Sequence, residues 1–469
     1  MNESRPDPPR HDGGTRPGSR RTHAVKLWLG YGALSAGLEV TRLVAETLFV
    51  TRIGIRHLPT IFAIQAILRV AGSWAYVRRA EHLGARALLT WALSWMAAAV
   101  VLPSLWSGAT GTWWPYAIVY ATIEAADTVI KVHWGVYLLE LYRPGEARTL
   151  FPILYTAASA GRSAGGALVR QTAGTALLTW LPAASLSVLL PMAGIFLLGL
   201  RRPGPTPKKK GKRALDPSDE VGNHLDDLLC KPLPETGLEK TARRLQPVET
   251  GPEEMAFELE SPRSSIRRTV ALLKESRLVR AIALATILLV LTRFLVRYVS
   301  LALLRANLDT TAMARILGTY SALAHVAGLA IQIMITPWLT KRWGITAANG
   351  IFAGLLWLAT IALTIWGRVS LALTARFAES EAKTALKTPI SPIFYYPIPS
   401  RLRPGARAVI LGLVSPASAV LTALTLELLQ GTLSLQWLAG LAVLCASALL
   451  LATIHQNRLY TWLTREKAG

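Results

Sequence analysis

Val279-Arg-Ala-Ile-Ala-Leu-Ala-Thr-Ile-Leu-Leu-Val-Leu-Thr-Arg293-Phe-Leu-Val-Arg297-Tyr-Val-Ser-Leu-Ala-Leu-Leu304 is a run that, after Arg280 at its edge, is apolar but for two arginines one helical turn apart. At 1.5 Å per residue, a helix of this length exceeds the ~30 Å hydrocarbon core of a bilayer, so the run predicts a spanning helix. Arg293 and Arg297 say what kind of helix it is. An ionisable side chain at the centre of a span costs at least ~2.5–3.5 kcal/mol, so both must face a partner or a watered space and not lipid.

The same length criterion finds runs on either side. Six precede this one, near 26–50, 58–77, 86–108, 113–142, 149–171 and 174–200, and five follow, near 312–338, 343–366, 369–398, 405–431 and 434–455. The expected fold is therefore all-α, a polytopic membrane protein of about twelve transmembrane helices in two six-helix bundles, 26–200 and 276–457. Residues 1–25, rich in Pro, Gly, Arg and Asp, predict a disordered cytoplasmic tail, and 458–469 a second one. Residues 201–275 predict a flexible cytoplasmic linker, with an interfacial helix near Ile266 to Lys274.

Composition agrees with lipid as the solvent. The apolar set makes up 52% of the 469 residues, yet 51 Lys and Arg against 28 Asp and Glu leave a net charge of +23. That surplus sits in the polar segments between runs. Inner loops carry Arg78, Arg79, Arg86, Arg143, Arg148, Lys341, Arg342, Arg401, Arg403 and Arg407, whereas the outer ones hold only Arg52, Arg56, Arg170, Arg305 and Arg368. The bias places both termini in the cytoplasm, in a plasma (bacterial inner) membrane, and argues against nucleic acid as the partner. Tryptophans at run ends, Trp106, Trp113, Trp114, Trp338 and Trp343, suit interfacial anchoring. Cys230 falls in the linker and Cys445 in an apolar run, so no disulfide, metal or redox site is expected, and no cofactor.

Charges inside the runs are the informative feature. The first run carries Glu39, Arg42 and Glu46, and the fourth Glu124, Asp127 and Lys131, each set spaced i, i+3, i+7 on one helical face. The tenth carries Arg376, Glu379, Lys383 and Lys387 on one stripe, with Glu381 off it. The other eight runs are nearly clean, with Arg69, Arg162, Arg315 and Glu427 as exceptions that can snorkel to an interface. Ion pairs serving only to hold helices together are one explanation, but packing alone gives no reason to confine charge to every third helix. The first-half stripes hold four acids and two bases and the second-half set two acids and five bases. Arg42, Lys131, Arg293, Arg297, Arg376, Lys383 and Lys387 are accordingly expected to bind an anionic solute. Glu39, Glu46, Glu124, Asp127 and Glu379 are expected to serve coupling, to protons, or gating. His133, near the fourth stripe, is a candidate proton relay; His325 stands alone in the eighth run.

Two motifs repeat between the halves: Arg143-Pro-Gly-Glu-Ala-Arg148 after the fourth run and Arg403-Pro-Gly-Ala-Arg407 after the tenth. The loop Gly72 to Arg86 resembles a degraded inner-loop motif of the major facilitator superfamily, with Lys341-Arg342-Trp-Gly344 at the equivalent place in the second half. The segments Glu381-Ala-Lys-Thr-Ala-Leu-Lys-Thr-Pro389, Tyr395-Tyr-Pro397 and Arg401 to Ala408 resemble the ATP/ADP translocases of plastids and intracellular bacteria. So do Glu146 to Pro152 and Arg42 with Glu46 to Val50. The resemblance implies that Lys383 stands where the family has a lysine and that, with a one-residue slip, Glu124 stands at the family's functional glutamate. It departs at Ala45, Arg297, Thr388, Ser391 and Pro392, so the chain resembles a divergent relative.

No phosphate-binding loop, nucleophile–base spacing or metal pair accompanies these residues, so an enzyme is not expected. The expected protein is a secondary active transporter working by alternating access on a small anionic solute, a nucleotide or related organic anion, in the lipid bilayer. The alternative is a non-transporting membrane sensor or assembly protein that keeps the fold.

Overall fold

The structure is a computed structural model and describes residues 17–80, 82–83, 85–110, 114–141, 144–198, 276–399 and 403–466. The linker 201–275 with its expected helix, Cys230, Trp113, Arg143, Arg401 and most of the N-terminal tail lie outside the described residues.

The described chain is helical throughout. Its α-helices are α1 (Pro17–Leu48), α2 (Leu58–Ala80), α3 (Ala85–Met96), α4 (Leu102–Thr110), α5 (Trp114–Leu141), α6 (Pro144–Thr172) and α7 (Leu177–Leu198) in the first half. The second half holds α8 (Arg277–Asn307), α9 (Thr310–Ala330), α10 (Thr336–Trp366), α11 (Val369–Phe377), α12 (Thr388–Ile390), α13 (Arg403–Val409), α14 (Ser415–Leu429) and α15 (Leu435–Glu466). Short π-helical stretches join some of these without a break: Ala97–Val101, Ile331–Ile335, Ala378–Lys387 and Ile410–Val414. Inside α10, Gly344 takes φ 83°, a left-handed value that suits only glycine, and there the chain turns from one helix into the next. Among the described residues the helices therefore form twelve runs, six in each half.

Local chemistry sets the ends. The Ser276 hydroxyl accepts from the Val279 amide at the start of α8, and Asp309 accepts from Ala312 at 2.7 Å at the start of α9. Gly367, at φ 53°, closes α10 with a left-handed cap. α1 begins at Pro17, inside the stretch expected as tail, and α15 continues to Glu466 because Leu459, Tyr460 and Leu463 still pack on the core.

Seven stretches of the described residues are long and apolar enough to cross a membrane, and Thr310–Trp366 among them contains two runs. The runs that miss this criterion are the first, fourth, fifth and tenth, all of which carry internal charge. The molecule is an integral membrane protein whose polarity is inverted: Leu428, Ile195 and Leu444 are more than two-thirds exposed, while Glu46 is fully buried.

Each half is a bundle built on its first helix. α1 packs on α6, α7 and α5, and α8 packs on α15, α11 and α14. The halves meet along two seams, α6 on α9 and α2 on α14. The fifth run thus meets the eighth while the eleventh meets the second, which is the arrangement that a two-fold exchange of the halves produces. At the first seam Gly166 and Gly318 let backbones touch: a Cβ on Gly166 would lie 2.7 Å from the Ala322 nitrogen and 2.8 Å from the Gly318 oxygen. The Ser163 hydroxyl also donates to the Ala322 carbonyl at 2.8 Å.

Candidate functional site

Between the halves lies a cavity of about 230 Å³, well above the ~10–15 Å³ that admits a single water. Ten of the expected site residues line it: Glu39 and Arg42 from α1, Glu124, Asp127 and Lys131 from α5, Arg293 and Arg297 from α8, and Arg376, Glu379 and Lys383 from the tenth run. These positions are brought together because α1, α5, α8 and α11 each turn their charged stripe inward. The second, fifth and eighth runs add residues that the sequence did not single out as site residues, Arg69, Arg162, Tyr320, Ser321 and His325, and the tenth adds Glu381.

Ion pairs organise the wall. Arg42 holds Glu39 through two bonds of 2.5 and 3.0 Å, one turn along the same helix. Asp127 accepts from Lys131 at 2.5 Å and from Arg162 at 2.6 Å. Arg293 donates from Nε to the Glu379 carboxylate at 2.8 Å. First-half carboxylates also tie the halves to one another: Ser321 donates to Glu39 at 2.6 Å, Arg297 lies 3.6 Å from Glu124, and Arg376 donates to Glu46 at 2.8 and 3.1 Å.

Glu46 and Lys387 do not line the cavity. Glu46 is fully buried behind it, shared by Arg376 and by Arg297 at 3.7 Å. Lys387, expected on the Lys383 stripe, instead lies over the Phe352 ring at 5.5 Å. The reason is the π-helical stretch Ala378–Lys387. Its i→i+5 bonding winds the chain more widely than the α-helical period on which the stripe was counted, so the residues from Arg376 to Lys387 no longer form one straight row. Glu381, off the stripe in an α-helix, is nevertheless on the cavity wall, where it meets His325 Nδ1 at 3.0 Å. His325 therefore does not stand alone, since its Nε2 also lies 3.6 Å from Glu39. His133 sits away from the cavity, bonded to the Tyr76 hydroxyl at 3.1 Å. Among the described residues, no three His, Cys, Asp or Glu side chains converge as a metal centre would need.

The cavity is closed at one end. The first run's C-terminal end, with the N-terminal ends of α2, α5 and α11, surrounds Glu46, Arg376 and a layer of rings: Phe49 against Tyr120 at 5.3 Å and Phe62 edge-on to Phe294 at 4.8 Å. Arg297 lies over Phe62 and Tyr120 at 5.7 and 5.9 Å. Outside that layer Gln430 donates to the Arg56 carbonyl at 2.8 Å and Thr60 to Glu427 at 3.1 Å, joining the halves again. Side-chain exposure rises from 0% at Glu46 through 11% at Arg297 to 49% at Lys131. The open end is thus the one where α1 and α8 begin.

Comparison with solved structures gives the architecture a context. A nucleoside transporter, NupG, superposes with a TM-score of 0.56 over 93% of this chain and 98% of its own, at 12% identity. A POT family transporter in complex with 5-aminolevulinic acid gives 0.59 over 95% and 97%, also at 12% identity. The fold is that of solved membrane transporters. A peptide transporter POT in complex with sulfate gives 0.58 over 95% of each chain at 14% identity. These neighbours are transporters and not enzymes, and the match agrees with the major facilitator resemblance at the level of fold. No family model matches the chain, and no curated protein matches it.

Proposed function

We propose that this chain is a secondary active transporter with twelve spans that carries a small anionic solute through the central cavity by alternating access. The observation that carries the reading is the cavity itself. Charged side chains from six runs of both halves converge on one polar space, and side chains so costly in hydrocarbon are retained there when nothing in lipid would repay them. Cross-half pairs such as Arg376 with Glu46 close one end, so the state described is open to the side where α1 begins, the cytoplasm on the loop-charge argument. Reversing the closure means breaking those pairs and forming others at the opposite end while the two seams act as bearings.

In this reading the binding groups are Arg42, Lys131, Arg293, Arg297, Arg376 and Lys383, with Glu39, Glu124, Asp127 and Glu379 as exchangeable partners that take protons or release bases to the solute. Glu46 belongs to the closure, and Lys387 is left out. Nucleotide exchange, the sub-class that the tenth-run resemblance implies, is the first cargo to try.

The test is uptake by purified protein in vesicles, with nucleotides, phosphates and carboxylates as the panel. Lys383→Ala and Glu124→Gln are expected to reduce uptake about 30-fold or more, as expected when one partner of a buried charged contact is lost. Lys387→Ala is expected to leave it near the wild-type rate. Wild-type uptake in Lys383→Ala would remove the second half from the site. A panel that is neither carried nor bound would favour the membrane sensor or assembly protein instead.

A further inference from the structure

The cavity wall carries eight cationic side chains and five carboxylates, and Glu46 behind them raises the acids to six. With His325 counted as neutral, two positive charges go unmatched. Their location is specific. Six cations have a carboxylate oxygen within ion-pair distance, as described above, whereas Arg69 and Lys383 have none among the described residues.

Arg69 rises from the middle of α2 in the first half, and its Nε is buried without a hydrogen-bond partner. An unpaired guanidinium nitrogen away from bulk water is costly, and an occupant that accepts from it removes the cost. Lys383 faces the same space from the tenth run of the other half, within electrostatic reach of Arg69 and Arg293. The acid whose charge reaches Lys383, Glu379, is already held by Arg293, and those whose charge reaches Arg69, Glu124 and Asp127, are held by Arg297 and by Lys131 with Arg162. Two cations that repel each other across one cavity are a poor packing solution and a good trap for an anion between them. A guanidinium fork beside an ammonium point charge suits the several oxygens of a tetrahedral oxyanion.

We propose that Arg69 and Lys383 form a cradle, one cation from each half, for a dianionic phosphate group, so that the solute enters as a phosphate or phosphate monoester carrying two negative charges. The proposal rests on the transport reading only in making this occupant the cargo.

Binding and carriage are tested separately. The probe is inorganic phosphate at pH 8 against potassium chloride of equal ionic strength, read as the melting temperature of the detergent-purified chain. Phosphate is expected to raise the wild-type melting temperature. In Arg69→Gln and in Lys383→Gln the concentration giving half the shift is expected to rise about tenfold or more, as for loss of one charged hydrogen bond, while Arg69→Lys keeps most of the response. Without phosphate, both glutamine variants are expected to melt at or above the wild-type temperature, since each removes an unmatched cation. A phosphate response equal in wild type and variants, or absent from wild type, overturns the cradle. So does a large fall in melting temperature for both empty variants, which would make these cations structural. Phosphate uptake into vesicles then decides the cargo: binding without uptake leaves the cradle standing and counts against transport, and uptake that survives both substitutions does the reverse.

Discussion

Glu46→Gln is expected to destabilise the protein by about 3–5 kcal/mol, the cost of leaving a buried charge without its partner. The carboxylate is fully buried, receives both ends of the Arg376 fork and lies 3.7 Å from Arg297. Its removal leaves two guanidinium groups beneath the Phe49, Tyr120, Phe62 and Phe294 rings, with Glu124 the one carboxylate among the described residues still within ion-pair distance of either. Because Glu46 belongs to the first run and Arg376 to the tenth, the loss falls on the closed end. A cysteine placed at Phe62 is therefore expected to become reactive to a water-soluble thiol reagent in the variant and to stay protected otherwise. The double variant Glu46→Met with Arg376→Met is expected to recover most of the stability, since apolar residues of similar volume replace buried pairs at little cost. Thermal denaturation in detergent checks both, and a Glu46→Gln protein as stable as wild type would show that the pair holds nothing.

The second large effect is expected from Gly161→Val. A Cβ on Gly161 would collide with the Gly32 carbonyl oxygen and lie 2.8 and 3.0 Å from the carbonyl carbon and Cα of the same residue. One turn on, a Cβ on Gly165 would come within 2.6 Å of the Ala36 oxygen. α1 and α6 thus meet backbone against backbone, where no rotamer change relieves a clash. Overpacking a yielding core costs ~1–3 kcal/mol, and here neither backbone can yield, so the expected outcome is failure to purify as a monodisperse protein. Gly161→Ala brings the same Cβ and is expected to fail in the same way. Gly440→Ala, with nothing within 4 Å, is expected to stay within about 0.5 kcal/mol of wild type.

Much of this was legible in the residues. Apolar run length marks the helices because hydrocarbon thickness is fixed, and the i, i+3, i+7 stripes on α1 and α5 point inward as an α-helical period requires. The tenth run defeated the same rule. Glu381 lines the cavity and Lys387 does not, and the stretch Ala378–Lys387 that holds both is wound as a π-helix, a change of pitch that no residue type there announces. Pairing was invisible for a different reason. Glu46 and Arg376 are 330 positions apart, and Ser321 lies 282 from Glu39, so only the crossing of the two bundles makes them neighbours. Arg69 looked like an arginine that snorkels to an interface, although its position at the middle of α2 was the available signal that it cannot reach one. The linker 201–275 and the N-terminal end of the chain fall outside the described residues, and what the sequence says of them stands as expectation.

The two unmatched cations also have an electrical side. An empty cavity that switches its opening from one face of the bilayer to the other moves a divalent positive charge through part of the field, whereas one filled by a dianion moves none. Each elementary charge crossing the full drop gains or loses ~2.3 kcal/mol per 100 mV. A resting voltage, negative inside, would therefore hold the unloaded protein with its mouth toward the cytoplasm and leave the loaded protein indifferent, making the return leg the step that a voltage clamp would slow or hasten.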